Sequence, residues 1–468
     1  MRPSDPRPAL ATACACLALL SACGPHGPAA APAPPGSPNV VLITLDGLRR
    51  DHLSFFGYPR QTSPSIDWLA QQGLAFSEII PSSCSTKASL TSLLTSLDYP
   101  RHAMEEHDDV LPDEVLTLAE VFHAHGYATA GFVGTAWLAR SLHYGQGFDV
   151  YRDYKDFKEK GRKGVHADRV IGEVLEYLRG RAAHDPRPFF VYVHVHEPHP
   201  PWQGGSLWLD EPEAQESFFD QNCTYVPSNA EIAALPDATR RHLVAKYDGA
   251  IRFADAWIGV LLATLQQRGL TKNSVIAVSA DHGMGLLDHF SGGHGNTPFE
   301  EVTRGFLVLF DGRKRLDPAE QPSDAQGRIF DVGPTLLALA GIEAPPGLDG
   351  VDLLHDAQRL PELAFTTCYS GEVARSRAFK LIRFDAGLRA EHAEWPRGVP
   401  GEWMLVDLAA DPGETRDVSA AHPEVFARMR GALEKWGPGT EPRETDAKRL
   451  EALDPESRER LRELGYVK

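Results

Sequence analysis

The feature that most constrains the fold is an unbroken run of apolar, β-branched residues near the beginning of the chain, Asn39-Val-Val-Leu-Ile-Thr-Leu45. A run without polar alternation is typical of a strand that is buried on both faces of a parallel sheet. Similar runs recur at 189–195, 274–279 and 306–310, with helical patterns between them. Strands that alternate with helices predict an α/β sandwich with a largely parallel central sheet.

The pattern changes in the last quarter of the chain. Short strands followed by an amphipathic helix near 423–436 predict a smaller C-terminal α+β subdomain at 364–440, after a larger domain at 38–363. Residues 441–468 are mostly charged and predict a helical tail.

Composition narrows the class of protein. With 468 residues, 42% of them hydrophobic, the chain can bury a large core. Its formal charge is −17, from 64 acidic and 47 basic residues, and no run of Lys and Arg is present. Such a chain lacks the electrostatic footprint of a nucleic-acid-binding protein, so we expect no nucleic-acid partner.

The N-terminus predicts export. Residues 1–23 contain two arginines followed by an apolar segment that is too short for a stable transmembrane helix, as in a secretory signal. The end of this segment, Leu20-Ser21-Ala22-Cys23, resembles a bacterial lipobox, which implies lipidation at Cys23. An ordinary cleaved signal with an incidental cysteine is the alternative. With a Pro/Ala-rich tether at 24–37, we expect a lipid-anchored protein of the bacterial cell envelope.

Three other cysteines remain in the mature chain: Cys84, Cys223 and Cys368. An exported protein can form a disulfide, but an odd number of thiols leaves one over. The sequence does not identify the pair.

Polar side chains follow the predicted buried strands. Asp46 ends the first, the segment 194–199 ends another, and Asp281-His282 follows a third. In open α/β sheets, ligands bind outside the carboxyl ends of the strands. Carboxylate and imidazole groups suit a divalent cation, although a buried hydrogen-bonded Asp–His pair is an equal alternative from these residues alone.

Taken in order along the chain, several segments resemble the sulfatase family of the alkaline-phosphatase superfamily. The resemblance covers roughly residues 38–440 and implies an alkaline-phosphatase-like sandwich and a metal-dependent ester hydrolase. The segments that carry it are Asp46-Gly-Leu-Arg49-Arg-Asp51-His-Leu, Ser63-Pro-Ser-Ile-Asp67-Trp-Leu-Ala, Phe190-Val-Tyr-Val-His-Val-His-Glu-Pro-His199, Asp281-His282-Gly283, Asp331-Val-Gly-Pro-Thr335-Leu-Leu and Asp407-Leu-Ala-Ala-Asp411-Pro-Gly-Glu414.

The resemblance also implies a nucleophile. Family members carry C/S/T-x-P-S-x-x-x-L-L-T-G, and aligning Leu93-Leu94-Thr95-Ser96 with its end places Ser89 on the conserved serine and Thr86 on the nucleophile. Cys84 is followed by neither the Pro nor the Arg that formylglycine formation needs. We therefore expect Thr86 in place of the formylglycine cysteine, and Cys84 as a small buried residue.

The metal site implied by the resemblance consists of Asp46, Thr86, Asp281 and His282, which would hold one divalent ion: Zn²⁺, Mn²⁺ or Ca²⁺. A threonine hydroxyl needs such a metal or a base to become a nucleophile, and a helix N-terminus adds a favourable field.

The remaining roles concern the anionic substrate. Arg49 would stabilise the alkoxide or the charged substrate oxygens, and Lys87 offers a second cation unless it is solvated. His199 and His294 lie where family members bind the anion or protonate the leaving oxygen. Two further histidines are expected to contact the substrate: His196 and His289.

Two departures from the family pattern favour phosphate over sulfate esters. Gly134-Thr135-Ala136-Trp137 replaces a Gly-Lys-x-His stretch that surrounds sulfate, and His282 replaces an Asn. A sulfated threonine also lacks the aldehyde exit of a formylglycine, whereas a phosphorylated threonine can be resolved by in-line attack of water.

Two other functions stay open. The first is a transferase that moves a phospho-alcohol group onto an envelope glycan or lipid. The second is an inactive, sulfatase-like lipoprotein that binds an anionic glycan, as the missing Pro, Gly, Lys and His of the family motifs would allow. In all three cases the partner is a small-molecule, glycan or lipid anion.

Overall fold

The computed structural model describes residues 32–105, 108–157, 164–181, 185–200, 202, 237–289, 292–321, 325–385 and 402–437. Cys23, the predicted signal segment, most of the tether and the predicted tail at 441–468 lie outside the described residues. Among the described residues, no helix combines the length and apolar composition needed to cross a membrane.

An eight-stranded sheet forms the centre of the molecule, in the order β10-β2-β9-β6-β1-β5-β3-β4. All neighbours are parallel except β9, which runs antiparallel to both β2 and β6. The strands are β1 (Asn39–Asp46), β2 (Leu74–Ile80), β3 (Ala128–Val133), β4 (Val150–Arg152), β5 (Phe189–Pro198), β6 (Ser274–Ala280), β9 (Gly305–Asp311) and β10 (Gly327–Arg328).

The apolar runs form the middle of this sheet because helices cover it. Every residue of β1 is buried. One group of helices, α1 (Pro64–Gln71), α6 (Ala167–Arg181) and α7 (Asp237–Gln267), contacts β3, β5 and β9, and α7 contacts both of the others. The helices α2, α4 and α9 form a second group, which contacts β1, β3 and β6.

The helices are α1 (Pro64–Gln71), α2 (Thr86–Thr95), α3 (Tyr99–His102), α4 (Leu118–Ala124), α5 (Tyr154–Phe157), α6 (Ala167–Arg181), α7 (Asp237–Gln267), α8 (Glu300–Thr303), α9 (Val332–Ala340) and α10 (Pro423–Trp436). A two-stranded ribbon joins β7 (Gly285–Leu286) to β8 (Gly292–Gly293).

A second, four-stranded antiparallel sheet follows in sequence. Its strands are β11 (Ala364–Cys368), β12 (Gly371–Arg375), β13 (Phe379–Phe384) and β14 (Trp403–Asp407). Helix α10 packs against it through Met429 and Leu433, which join Ala374, Leu381 and Leu405 in a separate small core. The predicted fold class, a largely parallel α/β sandwich with a smaller α+β unit, is confirmed.

The sheet brings three polar strand ends together. Strand β1 lies between β5 and β6 and is parallel to both, so their carboxyl ends meet at one edge. A bulge between Leu45 and Asp46 ends the regular pairing of β1 with β5. Asp46, the histidines of β5 and Asp281-His282 therefore lie close together at this edge of the sheet.

Candidate active site

Three side chains at this edge form what we call the strand-end cluster: Asp46, Asp281 and His282. One ligand atom from each lies within 4.8 Å of the others, and all three side chains are buried. The backbone amides of Gly47 and His282 donate to Asp281 Oδ1 at 2.9 and 2.8 Å, which fixes that carboxylate.

Unpartnered atoms point into this cluster. Among the described residues, Asp46 Oδ2, Asp281 Oδ2, His194 Nε2 and His196 Nδ1 are buried without a hydrogen-bond partner. Buried polar atoms are normally paired, because burial without a partner is costly. Carboxylate oxygens and imidazole nitrogens are divalent-metal ligands, so this donor set fits the metal that the sequence predicts.

The two carboxylates titrate in opposite directions. Burial raises the pKa of Asp46, but the imidazoles of His199, His194 and His196 outweigh burial and lower its pKa well below the usual range. Burial and the Asp46 charge raise the pKa of Asp281 well above its usual range. Two carboxylates this close cannot both stay charged without a cation beside them.

Thr86 lies beside the strand-end cluster, as the first residue of α2. Its Oγ1 is 3.1 Å from His282 Nε2 and 3.3 Å from Asp46 Oδ1. His282 Nδ1 lies 2.9 Å from the Gly283 carbonyl oxygen, which can only accept a hydrogen bond. Nδ1 therefore carries the proton, and Nε2 has a free lone pair that can accept one. The Thr86 hydroxyl thus faces two acceptors at a helix N-terminus.

Close packing holds α2 against the turn at Asp281. Ser89 Oγ donates to the Asp281 carbonyl at 2.5 Å. On the other side of the turn, a Cβ at Gly283 would lie 2.0 Å from the carbonyl oxygen of Glu301, so only glycine fits there.

His199 and His294 form a pair beside the strand-end cluster. Their Nε2 atoms are 3.0 Å apart, while each Nδ1 is bonded to a backbone carbonyl, that of Pro200 for His199 and that of Cys84 for His294. Because both Nδ1 atoms must donate, a hydrogen bond between the Nε2 atoms requires one shared proton. Burial lowers the pKa of His199 below its usual range and that of His294 to about 3. A nearby anion would favour the protonated pair.

His196 and His194 approach Asp46 from β5. His196 Nδ1 and His194 Nε2 lie 3.5 and 3.8 Å from Asp46 Oδ2. Thr44 Oγ1 holds the His194 ring from behind, at 2.9 Å from Nδ1. Sequence reasoning did not select His194 as a site residue. The available signal was the two-residue spacing from His196, which places both rings on one face of a strand.

Arg49 has partners other than those predicted. Its guanidinium donates to Asp51 at 2.7 Å, to Asp288 at 2.6 Å and to the Met284 carbonyl at 3.3 Å. None of these groups belongs to the strand-end cluster, and the role of Arg49 toward the alkoxide or the substrate stays a prediction. The guanidinium forms ion pairs with two carboxylates, Asp51 and Asp288, and Asp288 was not predicted as a partner.

Lys87 is buried rather than solvated. It follows Thr86 in the first turn of α2, and its Nζ donates to the Asp109 carbonyl at 2.6 Å.

His289 lies in a different group. Its Nδ1 is 2.8 Å from Glu301, its Nε2 is 3.1 Å from the Gly413 carbonyl, and its ring stacks on Phe299. With Glu301 and Glu414 it forms the junction cluster, between the large domain and the small sheet. The structure therefore places His289 in the junction cluster rather than in the strand-end cluster, because Glu301 and the Gly413 carbonyl engage its two ring nitrogens.

The structure also settles the cysteine pairing for the two described cysteines. Cys84 and Cys368 form a disulfide and are both buried. Cys84 is thus a buried residue, as expected, and is bonded through its sulfur two positions before Thr86.

Fold and site together define an ester hydrolase with the donor set of a metal enzyme, and comparisons agree. The family model described as Sulfatase matches residues 38–342. An ulvan-active sulfatase of Formosa agariphila is 27% identical over 81% of this chain and 76% of its own. The chain belongs to the sulfatase family of the alkaline-phosphatase superfamily, whose members are metal-dependent hydrolases.

Solved structures support the fold. A 2-O GAG sulfatase superposes with a TM-score of 0.67 at 17% identity, covering 90% of this chain and 96% of that one. The phosphonate monoester hydrolase of Agrobacterium radiobacter gives 0.63 at 19% identity, covering 85% and 95%. This fold therefore occurs in proteins named for sulfate esters and for phosphonate esters.

Proposed function

We propose that this protein is a metal-dependent ester hydrolase in which Thr86 is the nucleophile, with phosphate esters preferred over sulfate esters. One observation carries the proposal: the Thr86 hydroxyl lies 3.1 Å from His282 and 3.3 Å from Asp46, whereas Cys84 is consumed in a disulfide. A disulfide-bonded cysteine cannot be converted to formylglycine.

Thr86 attacks the phosphorus of the bound ester. A Thr86 Oγ–P bond forms as the bond from phosphorus to the leaving oxygen breaks, and the hydroxyl proton passes to Asp46 Oδ1, because the Nε2 lone pair of His282 would be the one that holds the metal. Water then attacks the phosphothreonine in line and releases phosphate and free Thr86.

The His199–His294 pair serves the leaving group. When an anion is bound and the pair is protonated, the proton between the Nε2 atoms is the one available for the leaving oxygen, because both Nδ1 protons are bonded to carbonyls. The ester anion itself raises the proton affinity of the pair on binding.

Asp46, Asp281 and His282 would hold the metal, with Thr86 beside them. When bound, the cation supplies positive charge next to the nucleophilic oxygen and the ester oxygens, which favours the alkoxide at neutral pH. The ion would be Zn²⁺, Mn²⁺ or Ca²⁺.

The phosphate preference rests on the nucleophile and its surroundings. A sulfated threonine has no aldehyde exit, and the Lys and His that family members place around sulfate are replaced by the segment ending in buried Trp137. The likeness of the fold to a phosphonate monoester hydrolase is compatible with this preference.

We further propose that the protein acts in the bacterial cell envelope on a small-molecule, glycan or lipid ester, anchored through a lipid on Cys23. The buried Cys84–Cys368 disulfide supports export, because disulfides persist mainly in oxidising compartments.

The test is turnover of nitrophenyl phosphate, bis-nitrophenyl phosphate and nitrophenyl sulfate under Zn²⁺, Mn²⁺ and Ca²⁺. We expect phosphate ester turnover that Thr86→Ala abolishes and the matched control Thr95→Ala retains, since the Thr95 hydroxyl donates to the Thr91 carbonyl within α2. Sulfate turnover, with formylglycine at Cys84 by peptide mass, would overturn the proposal. Absence of both turnover and bound metal would also contradict the proposal and favour the alternative of an inactive, anion-binding protein.

A further inference from the structure

Three segments meet at the Cys84–Cys368 disulfide. The first, 81–84, leads directly to Thr86. The second is the end of β11 in the small sheet. The third, 293–297, carries His294. Both sulfur atoms lie 3.5 Å from the Thr297 carbonyl of this third segment.

Backbone hydrogen bonds join the first two segments. Thr367 N donates to the Ser82 carbonyl at 3.0 Å, and Cys84 N donates to the Thr367 carbonyl at 2.9 Å. Strand β11 therefore pairs in parallel with the residues that precede the nucleophile. The disulfide closes this pairing covalently across the two domains.

The same bonds reach the imidazole. The Cys84 carbonyl lies 3.0 Å from His294 Nδ1, and Tyr369 N donates to the Gly295 carbonyl at 2.8 Å. Cys84 thus fixes the tautomer and orientation of His294 through its backbone while its sulfur is bonded to β11. Thr86 follows two residues later, so one anchored residue precedes the proposed nucleophile and orients the proposed proton donor.

We propose that the Cys84–Cys368 disulfide positions the active site, by holding Thr86 and His294 in register through the small sheet. The inference rests on the proposed function in that it assigns Thr86 and His294 their roles. The small sheet is then part of the catalytic apparatus, and reduction of one buried bond lowers turnover without removing any catalytic group.

Reduction is balanced by a dithiol. Dithiothreitol gives two electrons and two protons to the S–S bond, which becomes two cysteine thiols, while the dithiol closes to its own disulfide. Because the sulfurs are buried, the variants provide the equilibrium test and the dithiol a slower one.

The experiment compares Cys84→Ala, Cys368→Ala and the double variant with two controls. Val302→Ala trims the buried side chain that packs on both cysteines without breaking the bond, and Cys223→Ala removes the remaining cysteine of the mature chain. For each protein we would measure kcat and KM for a phosphate ester, bound metal, and the folded fraction by circular dichroism.

We expect each single variant to lose about 10- to 100-fold in kcat, the range for a small misplacement of catalytic groups. KM and metal content should stay close to wild type in the folded protein, and the double variant should be no worse than either single one, because all three remove the same bond. The two controls should retain wild-type kcat within about threefold, and peptide mapping should recover a Cys84–Cys368 cross-link.

Full kcat in Cys368→Ala, or a loss of kcat that only tracks the unfolded fraction, would overturn the inference. Failure of the proposed function looks different. If Cys84 were itself the reactive residue, Cys84→Ala would be inactive while Cys368→Ala was active. If Thr86→Ala remained active, the nucleophile would be wrong although Cys84→Ala and Cys368→Ala still agreed.

Discussion

Among the described residues, two groups of similar composition, one of them with a partly buried histidine, differ in how their carboxylates are neutralised. The strand-end cluster has Asp46, Asp281 and His282, and the junction cluster has His289, Glu301 and Glu414. In the first, Asp46 Oδ2 and Asp281 Oδ2 have no hydrogen-bond partner among the described residues. In the second, Glu414 Oε1 also lacks a hydrogen-bond partner, but it lies 2.9 Å from the ammonium of Lys380.

Protein cations surround the junction cluster instead. Lys380 Nζ lies 2.9 Å from Glu414 and 3.2 Å from the adjacent Glu300, and Arg375 also pairs with Glu300 at 2.9 Å. The chain supplies its own positive charge there. Composition and burial are thus poor guides to a metal site, and the better guide is whether the chain neutralises its own acids.

The largest difference between the two clusters should be in the effect of their substitutions on catalytic activity. Asp46→Ala should lower kcat/KM for a phosphate ester by at least about 10³-fold, because it removes an acceptor of the Thr86 proton and a proposed metal ligand. Glu301→Gln should change it by less than about threefold. Comparable losses in both would mean that the junction cluster takes part in the chemistry.

Stability should respond in the opposite way. Lys380 is fully buried, so Lys380→Met removes the ammonium that pairs with Glu414, while Glu300 keeps its pair with Arg375. The free energy of unfolding in urea should fall by about 3–5 kcal/mol. The folded variant should bind metal as the wild type does, and a loss of metal with unchanged stability would contradict the comparison.

The junction cluster should also give the protein a pH-dependent stability. Burial raises the pKa of Glu414 to about 7 from an ordinary 4.5, although Lys380 opposes the shift. The folded protein therefore favours the protonated Glu414 carboxyl. The stability that this protonated group contributes is complete below pH 4.5 and is lost as the pH rises towards 7. The groups that face it are Lys380, Glu300, Glu301 and His289.

Glu414→Gln should remove this dependence. Between pH 4.5 and 7.5, the unfolding free energy of the wild type should fall by about 1–3 kcal/mol relative to the variant. Urea titrations at four pH values would measure it, and parallel curves for the two proteins would contradict it.

The smallest expected effect concerns the packing of α2. Ser89→Ala removes the hydrogen bond to the Asp281 carbonyl and should cost about 1 kcal/mol of stability. Thr264→Ala, which removes a solvent-exposed bond within α7, is the matched control and should cost less. Equal costs would mean that Ser89 does not tie α2 to the strand-end cluster.

Much of the fold could be predicted because the apolar runs leave little choice. Strands such as Asn39–Asp46 have no polar face, so they must lie inside a covered parallel sheet. The reversed direction of Gly305–Asp311 was not predictable, because the residues of a buried strand read alike in both directions.

The site was predictable where chemistry follows a strand end. Asp46, Asp281 and His282 were predicted because parallel strands deliver their ends to one edge. The partners of Arg49 and His289 were not predicted, because Asp288 and Glu301 come near these side chains only in the folded chain. The pairing of Cys84 with Cys368 was not predicted either, because 284 residues separate the two cysteines and only the folded chain brings them together.

The most direct test of the account is the metal content of purified wild type, Asp281→Ala and Glu301→Gln after dialysis against Zn²⁺, Mn²⁺ or Ca²⁺. The account predicts about one divalent ion per chain in the wild type and in Glu301→Gln, and none in Asp281→Ala. A wild type without metal, or an ion that Glu301→Gln loses and Asp281→Ala keeps, would contradict it.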